Sequence, residues 1–368
     1  MKSYSHLYEK IIDEDNLKLA IKNAIKGRTK KRRKKIKQYI ENTDEAVKEL
    51  KRWIEEYRND THTPVQIYDG ISRKKREIIV PTFKELAVQH AIVQVLKPIF
   101  LKGAYEHSYA ATPGKGAHLG KKYMEKWIRK DIRNCKYVLK MDIKKFFPSI
   151  PHDKLKDKLA RTFRDKKLLQ ILFEIVDVTD IGIPLGFYTS QWFSNWYLQK
   201  LDHYIKEDLK AVYYIRFMDD MVILGANKRK LHRMRDKIEN YLNNELGLEL
   251  KANWQVYRFD HTKGNHTCRK DIDFMGFRFY RKKTTMRRSI MLKATRTARK
   301  IARKEKATIY DIRKMLSYLG WITHTDTYGM YLKWIKPYIS FQYFKRRMSV
   351  FDHKQNKETK NGFDLRAA

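Results

Sequence analysis

Residues 213–224 read Tyr-Tyr-Ile-Arg-Phe-Met-Asp-Asp-Met-Val-Ile-Leu. Two apolar runs of strand-like composition flank the adjacent carboxylates Asp219 and Asp220. That pattern predicts a β-hairpin with the carboxylate pair at its turn. Crowding two like charges is costly unless something neutralises them. The usual solution is a divalent cation, and Mg²⁺ prefers one or two carboxylates together with substrate phosphates. The pair therefore points to phosphoryl transfer on a nucleotide.

Charge is consistent with that direction. The chain of 368 residues carries 81 Lys and Arg against 42 Asp and Glu, a formal net charge of +39. Such an excess favours a polyanionic partner. A basic membrane-surface protein is the competitor, but no apolar run approaches the roughly 20 residues that span a bilayer. The first residues, Met1-Lys2-Ser3-Tyr4-Ser5, lack the apolar core of a signal peptide. Nucleic acid is thus the expected partner and no membrane is expected. A hydrophobic content of 42% supports globular folding in two or three domains. Cys135 and Cys268 have no zinc-type spacing, so reduced thiols in a cytoplasm are the simplest reading.

Along the chain, residues 6–58 read as helical, and Lys22 to Lys37 hold ten Lys/Arg and no acid. That run is either a solvated arm or a phosphate-binding one. Residues 65–80 read as short strands around the basic turn Ser72-Arg73-Lys74-Lys75-Arg76. Thr82 and Glu85 form a capping-box pattern for a helix to about Phe100. A core strand is expected over 136–143, with helices over 152–163, 189–208 and 227–246. Strands are expected near 248–259 and 272–280, and helices over 293–304 and 308–347. The expected domains are a basic helical extension (1–60), a core (61–285), a basic helical segment (286–350) and a polar, disordered tail (351–368).

Asp142 closes the apolar strand Tyr137–Met141 and precedes Ile143-Lys144-Lys145-Phe146-Phe147-Pro148-Ser149-Ile150. Alone it reads as a turn residue. Beside an Asp-Asp hairpin it becomes a third carboxylate, and three on adjacent strands could hold two Mg²⁺ ions. One would activate a primer 3′-hydroxyl; the other would bind the triphosphate and leaving group.

The chain here resembles the reverse transcriptases. Residues 138–150 are similar to the family's first catalytic motif, 182–191 to the motif that follows it, and 213–224 to its Tyr-Xaa-Asp-Asp box, with Phe217 in place of Tyr. Residues 274–280, Phe-Met-Gly-Phe-Arg-Phe-Tyr, resemble the primer grip. Arg76 to His90 and Ser108 to Gly116 resemble finger motifs of bacterial group II intron-like enzymes. The resemblance covers roughly residues 65–285 and implies an α+β right-hand polymerase with fingers, an antiparallel-sheet palm and a helical thumb.

The resemblance also implies roles. Asp142, Asp219 and Asp220 would be the catalytic, metal-binding carboxylates, with the Ile143 backbone carbonyl as a further ligand. Phe147 would crowd a ribose 2′-hydroxyl; the alternative is a core aromatic. Arg76, with Lys74 or Lys75 as helper, would contact triphosphate oxygens, unless they belong to a solvated basic turn. Gly186 would let backbone approach the nucleotide. Met218, Phe274 and Gly276 would lie near the primer. Lys251 would donate a proton to pyrophosphate, or be a surface lysine. Lys293, Arg296, Lys300 and Arg303 fall at helical spacing in a stretch, 281–304, with eleven Lys/Arg and no acid. That stripe would follow the phosphates of template RNA or an RNA/DNA hybrid. Trp192, Trp196 and Tyr197 are read as packing residues. Two departures weaken phosphate contacts in the fingers: Leu86 follows Glu85 where an Arg is frequent, and Thr112 precedes Pro113-Gly114.

Residues 182–191, Gly-Ile-Pro-Leu-Gly-Phe-Tyr-Thr-Ser-Gln, have Leu185 before the glycine and Gln191 after the serine. Retroviral and group II enzymes typically have Gln and Pro there. This version resembles the reverse transcriptases of diversity-generating retroelements, which copy a template-repeat RNA with errors at adenines. Leu185 and Gln191 would then tune dNTP selection. The implied partners are template RNA, dNTPs and a small basic oligomeric accessory protein, in a bacterial or phage-encoded cytoplasmic system. The implied cofactor is two Mg²⁺ ions, with Mn²⁺ as a substitute. The alternatives are a retron-type or antiphage-defence reverse transcriptase and, from another class, a catalytically silent RNA-binding protein of the same fold.

Overall fold

The computed structural model describes residues 3–26, 36–68, 75–263, 266–268 and 270–364. These divide into two compact units. The first comprises residues up to 69, 74–120 and 131–258; the second comprises 121–130 and the chain from 259 onward.

The first unit begins with α1 (Tyr8–Ile11), α2 (Glu14–Ile25), α3 (Lys37–Glu41) and α4 (Thr43–Glu55). Asp13 caps α2 by accepting from Asp15 N and Asn16 N. The hairpin strands β1 (Val65–Tyr68) and β2 (Lys75–Ile78) are antiparallel, with Ile67 opposite Arg76. The basic turn with Lys74, and most of the Lys22–Lys37 run, lie outside the described residues. The expected capping box is present: Thr82 and Glu85 bond reciprocally at the start of α5 (Phe83–Leu101). Asn16 and Asn23 of α2 bond across to Ala91 and Gln94 of α5, so the first helices pack on this long one.

After α6 (Ala117–Lys130) comes the central strand β3 (Tyr137–Asp142), then α7 (Phe146–Ser149), α8 (His152–Thr162), α9 (Lys166–Val176), α10 (Tyr188–Tyr197) and α11 (Gln199–His203). A π-helical turn, Tyr204–Asp208, leads to β4 (Tyr213–Phe217) and β5 (Asp220–Gly225). Then follow α12 (Lys228–Tyr241) and β6 (Gln255–Arg258). The sheet order is β4-β5-β3-β6, antiparallel throughout. Its two central strands, β5 and β3, pair in register from Tyr137↔Gly225 to Asp142↔Asp220. Val138, Leu139, Met141 and Met221 to Leu224 are buried, as expected of central strands covered on both faces. Trp192, Trp196 and Tyr197 are buried too and act in packing. Of the strand expected near 248–259, only Gln255–Arg258 forms in the sheet; Leu250 contributes an isolated bridge to Ile143.

The second unit holds β7 (His261–Lys263), β8 (His266–Cys268), β9 (Ile272–Phe274), β10 (Phe277–Phe279) and β11 (Thr284–Met286). Four helices follow: α13 (Arg288–Ala302), α14 (Ile309–Thr323), α15 (Tyr328–Trp334) and α16 (Phe341–Asp364). Ile290, Ala294, Ile312, Met315 and Ile335 form its helical core. Helix α16 runs to Asp364, through the stretch read from composition as an irregular tail. Lys, Gln and Glu there have high intrinsic helix propensity, which a reading by polarity alone overlooks. No helix among the described residues is long and apolar enough to cross a membrane.

Candidate active site

The hairpin of β4 and β5 closes through Met218 and Asp219, with Phe217 opposite Asp220. Met218 adopts a left-handed backbone, φ 58°, which a two-residue hairpin turn requires. Because β5 lies beside β3, that turn sits at the end of the strand carrying Asp142. Ile143 N donates to the Asp219 carbonyl at 3.2 Å, which ties the two segments together. Ile143 itself is fully buried.

Asp142 and Asp219 therefore converge. Burial, and then the charge of Asp142, push the Asp219 carboxyl up to about 6, while Lys251 opposes the shift. Asp142 Oδ2 accepts an ion pair from Lys251 Nζ at 2.5 Å, and its Oδ1 is buried without a hydrogen-bond partner. Backbone joins them as well: Lys251 N donates to the Asp142 carbonyl at 2.8 Å. Lys251 is thus part of this site rather than a remote surface lysine.

A carboxylate pair held together against its own repulsion, with one buried oxygen unsatisfied, fits a divalent cation. The third expected carboxylate, Asp220, stands opposite Asp142 in the β3–β5 register. Among the described residues, no group of three or more His, Cys, Asp or Glu side chains is arranged to hold a metal. Asp220 starts β5, and its carboxylate lies 4.0 Å from Lys140 Nζ. Strand pairing sets Asp220 directly opposite Asp142, so the two side chains share one face of the sheet with Lys140.

The loop 182–187 is fastened to both sides of the site. Ile183 N donates to the Phe147 carbonyl at 2.9 Å, and Ile79 N, just past β2, donates to the Leu185 carbonyl at 2.8 Å. Gly186 has φ +123°, and a Cβ there would lie 2.2 Å from the Ile79 carbonyl oxygen. Arg76, Leu185 and Gly186 thus belong to one connected segment. Arg76 is exposed, Leu185 partly exposed, and Gln191 exposed in the first turn of α10. Phe147 is half-buried beside fully buried Phe146, their rings 5.6 Å apart. It is Phe146 that fills the core position.

Replacing Gly186 with Ala is expected to strain the backbone by about 1–3 kcal/mol and push β2 from its anchor. Primer extension should fall at least tenfold while RNA binding persists. Gly116→Ala, with open space around its Cβ, is the matched control. Equal activity of the two variants would show that the Ile79–Leu185 link is dispensable.

A buried ion pair between two elements holds the hairpin turn from behind. Arg216, on β4, is 1% exposed and Asp202, on α11, is 0% exposed. They form a bidentate pair at 2.8 and 2.6 Å. Arg216 Nη1 also donates to the Met218 carbonyl and to Asn195 Oδ1, both at 3.0 Å. Tyr214 OH donates to Asp202 at 2.8 Å. The Ser108-Tyr109-Ala110 segment docks on the same strand: Arg216 N donates to His107 O and Tyr109 N to Arg216 O, each at 3.0 Å. This finger motif is structural edge here. An Arg inside an apolar strand was the available signal, since a buried guanidinium demands a carboxylate.

In the second unit, Phe274 is fully buried and Gly276, φ +86°, makes the β9–β10 turn against Trp321. Arg296 and Lys300 on α13, and Arg303 at its C-cap, are exposed. Lys293 departs from the expected stripe: its Nζ is buried without a hydrogen-bond partner. Lys74 lies outside the described residues.

The reverse transcriptase (RNA-dependent DNA polymerase) family profile matches residues 68–279, more than half the chain and all of the sheet just described. The chain is a member of the reverse transcriptase family. It is 28% identical over 142 residues to the retron Ec73 reverse transcriptase of Escherichia coli, covering 35% of this chain and 45% of that protein. It is 23% identical over 173 residues to the group II intron-encoded protein LtrA of Lactococcus lactis subsp. cremoris, covering 43% and 28%. A solved apo telomerase from Candida Tropicalis, truncated from its C-terminal domain, matches with TM-score 0.46 and 14% identity, covering 63% and 55%. The chain thus spans about half or less of the length of these proteins. This reverse transcriptase has the α+β fold expected of it.

Proposed function

We propose that this reverse transcriptase is an RNA-directed DNA polymerase that extends a primer with dNTPs. The observation that carries this reading is the Asp142–Asp219 pair, with Lys251, at the end of the two central strands. Asp142 and Asp219 would hold two divalent cations, Mg²⁺ or its substitute Mn²⁺, with Asp220 and the Ile143 carbonyl as further oxygens. Bound there, such ions neutralise charge on a 3′-hydroxyl and on the triphosphate. The chain's own residues do the rest. Lys251, seated at Asp142, is placed to give a proton to the leaving pyrophosphate. The β2–Leu185–Gly186 connection positions the nucleotide, with Arg76 toward its phosphates and Phe147 toward its ribose. The basic α13 face would follow the template strand.

Within the family we assign the chain to the diversity-generating retroelements, as the enzyme that makes adenine-mutagenised cDNA from a template-repeat RNA. Leu185 and Gln191 support this. An apolar side chain in place of an amide removes hydrogen bonds that would hold a base pair in register. Each 1.4 kcal/mol lost from the gap between right and wrong pairs raises errors about tenfold. A small basic accessory protein would accompany it in a bacterial cytoplasm. The similarity to the retron Ec73 enzyme favours a second reading, a retron-type or defence reverse transcriptase.

Sequencing the cDNA made by purified protein from a primed, defined RNA separates the two. Errors concentrated opposite template adenines, reduced severalfold by Leu185→Gln, are the expected result. Evenly low errors would move the assignment to the retron-type reading and leave the polymerase intact.

A further inference from the structure

Lys158 is not explained by polymerase chemistry. It lies on α8 between the buried residues Leu155 and Leu159, so helical spacing turns it inward. Its ammonium donates to the carbonyls of Trp196 and, at 3.4 Å, Tyr197, and sits 4.1 Å from the centre of the Trp196 ring. No carboxylate among the described residues pairs with it. Burial, with the nearby charge of Lys200, pushes its amine down to about 7.

Two cavities meet at this side chain. One, of about 250 Å³, is electrically compensated. Its Lys154 is held by the Asn244 and Glu245 carbonyls, and its Arg161 by Asp157. The other, of about 290 Å³, is different. Tyr4, Ile99 and Trp196 contribute apolar wall, Lys102, Lys158 and Lys200 contribute cations, and among the described residues no acidic side chain lines it. Lys102 and Lys200 are exposed at its rim. His203, also on the wall, is engaged by Glu207 and the Gly103 carbonyl.

Three lysines with no lining carboxylate among the described residues, beside the half-buried Tyr4 ring, favour an anion attached to a flat apolar body. The volume is near the lower bound of small-ligand sites, about 300 Å³, which suits one nucleotide rather than a larger molecule. We propose that this cavity, bounded by Lys102, Lys158, Lys200 and Trp196, is a second binding site for a nucleoside monophosphate, free or as a residue of an RNA strand. The site shares no residue with the Asp142–Asp219 pair, and the proposal does not depend on polymerase activity.

Pyridoxal phosphate tests it, because the reagent brings a phosphate and an aldehyde together. The Lys158 amine adds to the aldehyde, water leaves, and added borohydride reduces the imine to a stable secondary amine. Peptide mass spectrometry of the full chain at pH 7 should show Lys158 labelled about tenfold or more above ordinary exposed lysines, whose amines are almost wholly protonated. AMP, or a short unstructured RNA, should suppress that labelling severalfold. Lys102→Ala/Lys200→Ala should abolish the protection while leaving the melting midpoint unchanged, since both replaced side chains are exposed. Protection by AMP alone identifies a free nucleotide; protection by RNA alone identifies a strand. Lys158 labelling no higher than that of exposed lysines, or protection by neither ligand, overturns the proposal. Protection by inorganic phosphate equal to that by AMP overturns the nucleotide assignment.

Discussion

Asp219→Asn is expected to abolish primer extension, by at least about a thousandfold, and at the same time to stabilise the metal-free protein at pH 7.5. The loss follows from removing a carboxylate that would hold a cation at the reacting phosphate; electrostatic groups of this kind supply several kcal/mol to a transition state. The gain follows from the position of the same group. Its carboxyl is pushed up to about 6 by burial and by Asp142, against about 3.9 in an unfolded chain. The folded state therefore keeps a proton that the unfolded state has released. Stability contributed by the protonated form is complete below about pH 4 and is lost as pH rises through 6. At pH 7.5 the native fold carries a penalty on the order of 2–3 kcal/mol that Asn, a neutral isostere, does not. Thermal melts without added metal should show the variant's midpoint above the native one by a few degrees at pH 7.5 and equal to it at pH 4. RNA binding should be unchanged. Full extension by the variant would sink the assignment of Asp219; equal melting at both pH values would sink the electrostatic account of its burial.

The second large effect concerns the support behind the turn. Arg216→Ala or Asp202→Ala each leaves one charge buried without its partner, which typically destabilises by about 3–5 kcal/mol. Both variants should unfold at markedly lower denaturant concentration. The informative experiment is the double replacement Arg216→Met/Asp202→Leu. Two apolar side chains of similar bulk remove the stranded charge, and exchanges of this kind recover most of the lost stability. Extension should nevertheless stay low, with kcat reduced more than the KM for dNTP. Without the guanidinium, the Met218 carbonyl, one residue from Asp219, loses that donor. A double variant that recovers both stability and kcat would make the pair a folding element only.

Local chemistry made much of this protein legible. The carboxylate turn, the Thr82–Glu85 capping box, the apolar strand ending in Asp142 and the Trp192/Trp196/Tyr197 packing face depend on spacing along one element. Such spacing is written in the chain, because a strand repeats every two residues and a helix every 3.6. The motifs, in their order along the chain, indicate the family by themselves.

Other features depend on which elements meet. Nothing in the spacing of Asp202 and Arg216 pairs them; α11 and β4 do so by packing. Lys293 has the periodicity of an exposed stripe, yet its ammonium is shielded, because periodicity gives a face and not its surroundings. Asp219 and Asp220 adjoin in sequence, but only the β3–β5 pairing sets Asp220 opposite Asp142 and within 4.0 Å of Lys140 while the turn brings Asp219 to Asp142. Lys158 reads as one more cation in a chain of +39, and only the walls around it make it distinctive. The sequence by itself determined the sheet's central strands, the carboxylates and the family, since these rest on composition and short-range periodicity. The tertiary structure alone decided which charges are buried, which are paired and which are left facing a cavity, because those energies depend on neighbours distant along the chain.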